Sequence, residues 1–504
     1  MIRFHESEMT QVLPGQNMFA KPFPIKLKTN YMKATAADNH APLTPIIHSW
    51  IVQLLQDRDL LAETIKLENS PVNIQSIVPF QENIAAYKRV FQQYDLKHKI
   101  YFARKANKCL TFAKAAAEAG EGIDTASHKE LQQCLEAGIP GDQLILTAAL
   151  KNLTLLELAV TNHVTIIIDN MDEYELLDSI VRASETKAHI SVRIGGFTVA
   201  GKKLPTRFGF SLDAAYHLIT EQIKGHPFLS FTGLHFHLNG YDIAQRAAAI
   251  SQCIQLADQL AALDVPCQHI DIGGGYLVNY LQQREEWETF HRELKEAVLG
   301  QRSALTYQND ALGMVLIDGK LYGEPTVYPY YNEIPKAIFL EKVLTSQSEP
   351  HSLPIHELIR SRNIELRIEP GRSLLDQAGI TIARVLFRKQ DTEGNLLVGL
   401  EMNRTQMKSS SADFLLDPIH ITHQPTEKQE PVHGYLVGGY CLEQEFLLKR
   451  KIQFATYPEI GDLIAFPNTA GYMMHFFESQ AHQFALASNV FFTKDLQLIK
   501  QDGD

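Results

Sequence analysis

The chain has 504 residues, 45% of them hydrophobic and 21% charged, with a formal net charge of -11 at pH 7. That charge, with no basic stripe to offset it, speaks against a nucleic-acid partner, because phosphate backbones are bound through clustered lysine and arginine. The length exceeds what one hydrophobic core organises, so two domains, or a large barrel with an appended domain, are expected. The five cysteines, Cys109, Cys134, Cys253, Cys267 and Cys441, form no CxxC pair, which suits neither a disulfide framework nor a zinc site and fits a reducing compartment. No run of about 18 apolar residues offers a membrane span. The N-terminus, MIRFHESEMTQVLPGQ, lacks the apolar core of a signal peptide. A cytoplasmic protein is the expectation.

Along the chain, the first ~70 residues are irregular, with Pro14, Pro22, Pro24, Pro42 and Pro45, and only IIHSWIVQLLQDRDLLAETI has helical periodicity. Residues 1–74 are expected to form an N-terminal segment that partly packs on a later β domain. From about Pro71, helical and strand patterns alternate. The strands read IYFARK, GIDTA, LILTA, TIIIDN, HISVRIGG, FTGLHFHL, HIDIGGG and ELRIEP, with helical segments and short Gly, Asn and Asp turns between them. About eight βα units favour a TIM-like (β/α)8 barrel over residues 75–378; an open doubly wound sheet, needing fewer units, ranks second. The Tyr- and Pro-rich stretch that includes DGKLYGEPTVYPYYNEIPKAIFLEKVL is expected to be an insertion around residues 300–355, near the barrel mouth. After about Ile380 short alternating runs mark a C-terminal, mostly β domain, residues 379–504.

In a parallel barrel the site lies at the C-terminal ends of the strands. Those ends supply Lys105, Asp124, Arg193, His237, the glycines of DIGGGY (Gly273, Gly274, Gly275), and Glu369 with Arg372 in EPGR. Taken singly, each has an ordinary reading: Lys105 as a surface lysine past its strand, the glycines as a tight turn, Arg372 as a solvated loop residue. Together they supply an amine for a Schiff base, an anion nest with an arginine fork for phosphate, and a carboxylate for a pyridine nitrogen. Those are the parts that hold pyridoxal 5′-phosphate. Burial is expected to lower the pKa of Lys105 and make it a usable nucleophile.

The sequence resembles the fold-type III decarboxylases dependent on pyridoxal phosphate, the group of diaminopimelate, ornithine and arginine decarboxylases. The motifs are YFARKAN, GEGIDTASHKEL, GLHFH, DIGGG, EPGR, GGYCLEQE and NTAGYMM, in that order. The resemblance implies that Lys105 forms an aldimine and His237 stacks on the ring. It pairs Glu369 with the pyridine nitrogen, assigns the phosphate to Gly274, Gly275, Arg372 and Tyr472, and places Asp124 and Arg193 along the pocket. It also implies a head-to-tail homodimer with shared sites. Cys441 would then enter from the second subunit as proton donor to the quinonoid left by decarboxylation. His235 is expected to be a core or tautomer-fixing histidine.

Two departures bear on the substrate. Where the family carries Val-Gly-Ser after the stacking histidine, this chain has Leu238, Asn239 and Gly240, so one phosphate-contacting hydroxyl is missing; Asn239 is a candidate to compensate. Where well-known members have an acidic residue after the cysteine, this chain has Leu442, with Glu443 next as a substrate contact. Arg404 is a candidate for the substrate carboxylate, or equally a structural arginine. The segments GLEMNRTQM, CLEQE and NTAGYMMHFFES resemble a less characterised branch, some of whose members act on acylated amino acids in siderophore or natural-product assembly. The expected activity is decarboxylation of a free or acylated diamino acid. An amino-acid racemase, against which Glu369 and Cys441 tell, and a non-catalytic homologue are alternatives. A metal-dependent hydrolase, suggested only by His235 and His237, lacks further His or Asp ligands at the strand ends, so no metal is expected.

Overall fold

The computed structural model describes residues 40–68, 70–349, 352–409, 414–423, 430–493 and 498–499; the reading of Pro14, Pro22 and Pro24 lies outside them. Helices α1 (Ser49–Gln56) and α2 (Arg58–Glu68) precede strand β1 (Val72–Ser76) and helix α3 (Ile77–Gln93). Eight parallel strands then close a barrel: β2 (His98–Ala103), β3 (Gly122–Thr125), β4 (Leu144–Leu146), β5 (Thr165–Ile168), β6 (Ala188–Arg193), β7 (Leu229–His235), β8 (His269–Asp271) and β9 (Glu365–Ile368). These are the eight runs read from the sequence. They are legible because both faces of a barrel strand are covered, by helices outside and packed side chains within, so each is a near-continuous apolar run. Three consecutive ones, GIDT, LIL and TIII, are buried throughout except for Thr165.

Just past several strand ends, a capping side chain starts the next helix. Ser127, Asn152, Asn170 and Asp242 accept hydrogen bonds from backbone N–H groups three residues on, opening α4 (His128–Glu136), α5 (Leu153–Thr161), α6 (Met171–Ser184) and α7 (Ile243–Ala261). These caps hold the βα loops short at the mouth where the candidate residues stand.

The second domain is a sheet completed by the segment ahead of the barrel. Strand β1 pairs antiparallel with β10 (Gly379–Gln390) and parallel with β11 (Ser488–Phe492). Trp50, Ile51 and Leu54 of α1 pack with Ile74, Ile380, Ile382 and Val490 in one core. From residue 40 the described chain thus runs from the β domain into the barrel and back.

The Tyr-rich insertion differs in extent from its sequence reading. A core shared with the β domain already takes in Val278, Tyr280 and Phe290, together with Tyr328, Tyr330, Val385, Val398 and Phe466. The IPKAIFLEKVL stretch belongs to the barrel: helix α8 (Lys336–Thr345) buries Phe339, Leu340, Val343 and Leu344 in the barrel core. Its apolar stripe is short and follows Pro335, which hid it inside a segment read as an insertion. Among the described residues no helix is long and apolar enough to cross a membrane.

Phe112 joins the two domains. Its ring lies 5.1 Å from Phe80 of the barrel and 5.2 Å from Phe491 of β11. Phe112→Ala is expected to cost about 3–5 kcal/mol of stability, the range for emptying a buried phenylalanine site. The check is the urea midpoint followed by tryptophan fluorescence.

Candidate active site

After β2 the chain makes a 3-10 turn, Arg104–Ala106, that sends consecutive side chains opposite ways. Arg104 turns outward into the helix layer, donating to the Lys108 carbonyl (3.3 Å) and to Gln133. Lys105 turns into the barrel mouth, where its Nζ donates to Asp124 Oδ2 at 2.6 Å. The other oxygen of Asp124 accepts from the Thr147 hydroxyl. Three neighbouring strand ends therefore present lysine, aspartate and threonine in one line. Asp124 is fully buried, so the lysine charge is its counter-ion.

Across the mouth, His235 Nε2 lies 3.0 Å from Glu369 Oε1, and polar atoms of His235, Asp271 and Glu369 all fall within 4.8 Å of one another. Burial pushes all three carboxyl groups, Asp124, Asp271 and Glu369, above the ordinary carboxylate range; the charges of Lys105 and Arg193 work against this at Glu369. Burial and the surrounding cations hold His235 and His237 as neutral imidazoles. For Lys105 the expected depression does not occur. Burial does pull its pKa down, but the charges of Asp124 and Glu369 outweigh burial, and the ammonium is held above its ordinary value.

A cavity of about 310 Å³ opens over these groups, lined by Lys105, His237, Glu369, Arg372, Ser409 and Tyr472 among others. The glycine turn forms one wall. Gly273 and Gly275 have φ of +67° and +83°, and a Cβ on Gly274 would stand 2.5 Å from the Glu369 carbonyl. The Gly274 N–H donates to His237 Nδ1 at 3.1 Å, which sets that ring's tautomer. Arg372 donates from Nη2 to Ser409 (3.1 Å) and lies over the Tyr328 and Tyr472 rings at 4.5 and 5.2 Å. Its Nη1 is buried without an acceptor among the described residues.

An amine, an arginine donor without a partner and a glycine wall with no room for side chains fit pyridoxal phosphate, and the barrel with its β domain defines a pyridoxal-phosphate-binding protein. Residues 80–309 match the model of the pyridoxal-dependent decarboxylase family, pyridoxal binding domain. The chain is 29% identical over 446 residues to the uncharacterized protein y4yA of Sinorhizobium fredii, covering 88% of this chain and 92% of that one. It is 24% identical over 416 residues to a diaminopimelate decarboxylase of Campylobacter jejuni, covering 80% and 86%. The fold is shared with diaminopimelate decarboxylase from Helicobacter pylori complexed with L-lysine (TM-score 0.63, 19% identity, 88% and 96% covered). It is shared also with lysine/ornithine decarboxylase from Vibrio vulnificus complexed with cadaverine (TM-score 0.63, 16% identity, 89% and 100% covered). Over residues 80–309 the chain is similar to the pyridoxal-binding domain of the fold-type III pyridoxal-phosphate-dependent decarboxylases, and it shares their fold.

Of the residues singled out in the sequence, Lys105, His237, Gly274, Gly275, Glu369, Arg372 and Tyr472 line the one cavity, as does Asn239. Asp124 and Arg193 do not line it. Asp124 stands behind Lys105, and Arg193 is engaged with Asp169 (3.6 Å) and the Phe208 ring (4.1 Å). Cys441 is exposed on the β domain and lies outside this cavity, as does the exposed Glu443. Arg404 does too; it is tied to Glu445 (3.5 Å) and the Gln444 carbonyl (2.9 Å), a structural arrangement. Sequence reading missed Thr147 and Ser409. Thr147 sits one residue past β4, where the strand-end rule finds it; Ser409 reaches the cavity from the β domain and carries no motif.

Asp124→Asn removes the anion that holds the Lys105 ammonium charged, so the lysine should become reactive at lower pH. The expected result is that acylation of Lys105, followed peptide by peptide by mass spectrometry, moves to lower pH by at least about one unit. An unmoved profile contradicts the pairing.

Proposed function

We propose that the chain decarboxylates an amino acid at this cavity, with Lys105 as the residue that carries the cofactor. The observation that bears most weight is the Lys105–Asp124 pair at 2.6 Å, aimed into a cavity whose far wall is the glycine turn and whose floor is Glu369. Bound pyridoxal phosphate supplies an electron sink conjugated to the carbon that loses its carboxylate. The chain's residues do the rest. Glu369, steadied by His235, accepts a hydrogen bond from a pyridine N–H and keeps that nitrogen protonated. His237, neutral and held by the Gly274 N–H, offers a ring face without adding charge. Arg372, Tyr472 and the Gly275 N–H bind phosphate beside the bare backbone of Gly274, and Asp124 keeps a proton available at Nζ.

In a head-to-tail homodimer the exposed Cys441 would deliver a proton from Sγ to the α-carbon in the other copy's site. The substrate class we favour is an acylated diamino acid. Leu442 is 48% exposed beside Cys441. An apolar side chain there suits an acyl group better than the distal ammonium of lysine or diaminopimelate. This fits a role in siderophore or natural-product assembly in the cytoplasm, where cysteines stay reduced.

Two measurements test the reading. Carbon dioxide release is followed over a panel of free and N-acylated diamino acids, with Lys105→Ala alongside. The expected outcome is turnover by the wild type, highest on an acylated member, and a fall of about a thousandfold or more in the variant. Borohydride should fix the cofactor to the Lys105 peptide of the wild type only. Racemisation of a substrate without carbon dioxide would replace the reading with a racemase. Glu369→Gln should keep the cofactor attached and lose at least about a hundredfold in turnover.

A further inference from the structure

Directly behind the glycine turn stands an arginine with no acidic partner. Arg246, on α7, is 0% exposed. Its Nη1 donates to the carbonyls of Gly274 (2.7 Å) and Ile272 (3.2 Å), and its Nη2 to that of Gly275 (3.4 Å). The guanidinium also faces the rings of Tyr276 and Phe339, at 5.2 and 5.6 Å. Among the described residues no carboxylate pairs with it, and Nε has no acceptor. Carbonyl dipoles and ring faces leave most of a buried cation's charge uncompensated, an arrangement that persists where an anion arrives to complete it.

The geometry says where that anion sits. Gly275 lines the cavity, and a Cβ on it would lie 3.0 Å from Nη2, so a single thickness of backbone separates the guanidinium from the cavity. Within the turn, the N–H groups of Gly273 and Gly274 are taken by Asp271 and His237. Those of Gly275 and Tyr276 have no acceptor among the described residues. Two open backbone donors, the free Nη1 of Arg372 on the opposite side and a cation behind the turn describe the surroundings of a multiply charged tetrahedral oxyanion.

We infer that Arg246 is a positioning residue of the phosphate site, acting through the Ile272–Gly275 carbonyls and supplying the charge that the missing hydroxyl at Gly240 cannot. This rests on the reading of the cavity as a pyridoxal phosphate site. Arg246 orients the turn by its hydrogen bonds, and its field favours a phosphorylated ligand over an uncharged one.

The test compares dissociation constants of pyridoxal phosphate and of pyridoxal, by absorption titration of the cofactor-stripped full chain, for wild type, Arg246→Gln and Arg246→Lys. Arg246→Gln keeps amide donors but no charge. It should weaken pyridoxal phosphate by about tenfold or more while pyridoxal changes less than about threefold; Arg246→Lys should restore most of the difference. Inorganic phosphate, competing against pyridoxal phosphate, should lose affinity in parallel. Equal losses for both ligands, or no loss for either, overturn the inference and leave Arg246 a purely structural residue. If Arg246→Gln does not fold, Arg246→Lys decides alone: a phosphate preference kept within about threefold of wild type supports the charge, and its loss overturns it. A wild type that binds neither ligand refutes the cofactor reading instead, so the two failures are distinguishable.

Discussion

One half-buried ammonium facing two buried carboxyl groups, Asp124 and Glu369, is the constraint around which the barrel mouth is arranged. Lys105 cannot leave water unless an anion accompanies it, and Asp124 cannot be fully buried unless a cation does. Asp271 and Glu369 add negative charge a few ångströms away, and the structure answers with graded compensation. Arg193 opposes the charge of Glu369, and Asp169 in turn holds Arg193. Beyond it, Glu173 accepts the Asp169 N–H at 2.9 Å and pairs with the buried Lys151 at 2.9 Å. Opposite charges are thus paired outward from the mouth, Arg193 with Asp169 and Lys151 with Glu173, and the Asp169 N–H links the two pairs. Removing one member leaves its neighbour as an unpaired buried charge, which is why these side chains are so fixed in place.

The β domain is part of this arrangement and not an appendage to it. Tyr472, at φ +70°, donates its N–H to the Ala106 carbonyl at 2.7 Å, bracing the turn that carries Lys105. Asn107 reaches the Ala470 carbonyl at 3.0 Å from the other side. A Cβ on Gly371 would meet Tyr472 Oη at 3.0 Å, so that glycine lets the two domains approach closely. The cavity is a seam, and its residues stay aligned while β1, which runs from the β sheet straight into α3, and the Phe112 contact tie the barrel to the sheet.

The eight barrel strands were readable because burial on both faces writes itself as apolar runs, and the strand-end rule then delivered Lys105, His237, Glu369 and Arg372. What escaped reading has a common cause. The segment up to residue 74 was expected to pack on the β domain, but that Val72–Ser76 forms one of its strands was not, because pairing with Gly379–Gln390 is decided some 300 residues later in the chain. The Phe339 stripe was concealed by a preceding proline. The pKa of Lys105 was misjudged in direction because burial is visible in a sequence and the position of Asp124 relative to Nζ is not. Arg246 left one faint trace, a charged residue on the apolar face of IAQRAAAISQC, and only the folded carbonyls of the glycine turn give it meaning.

The departures from the family pattern fall at two places, the cavity beside the glycine turn and the exposed Cys441–Leu442 stretch outside it, and follow different physics. At the phosphate end, Gly240 at φ +113° offers no hydroxyl, while Ser409 brings one in from the β domain, already accepting from Arg372 so that its own O–H is directed elsewhere. A hydroxyl thus reaches the cavity from the other domain, and the charge of Arg246 stands behind the turn. Leu442, exposed beside Cys441, brings no charge that a distal ammonium would need. Apolar discrimination is weak per methylene, about 1–3 kcal/mol, whereas a buried carboxylate rejects an uncharged group strongly. Selectivity built on apolar contact therefore scales with the size of the group enclosed.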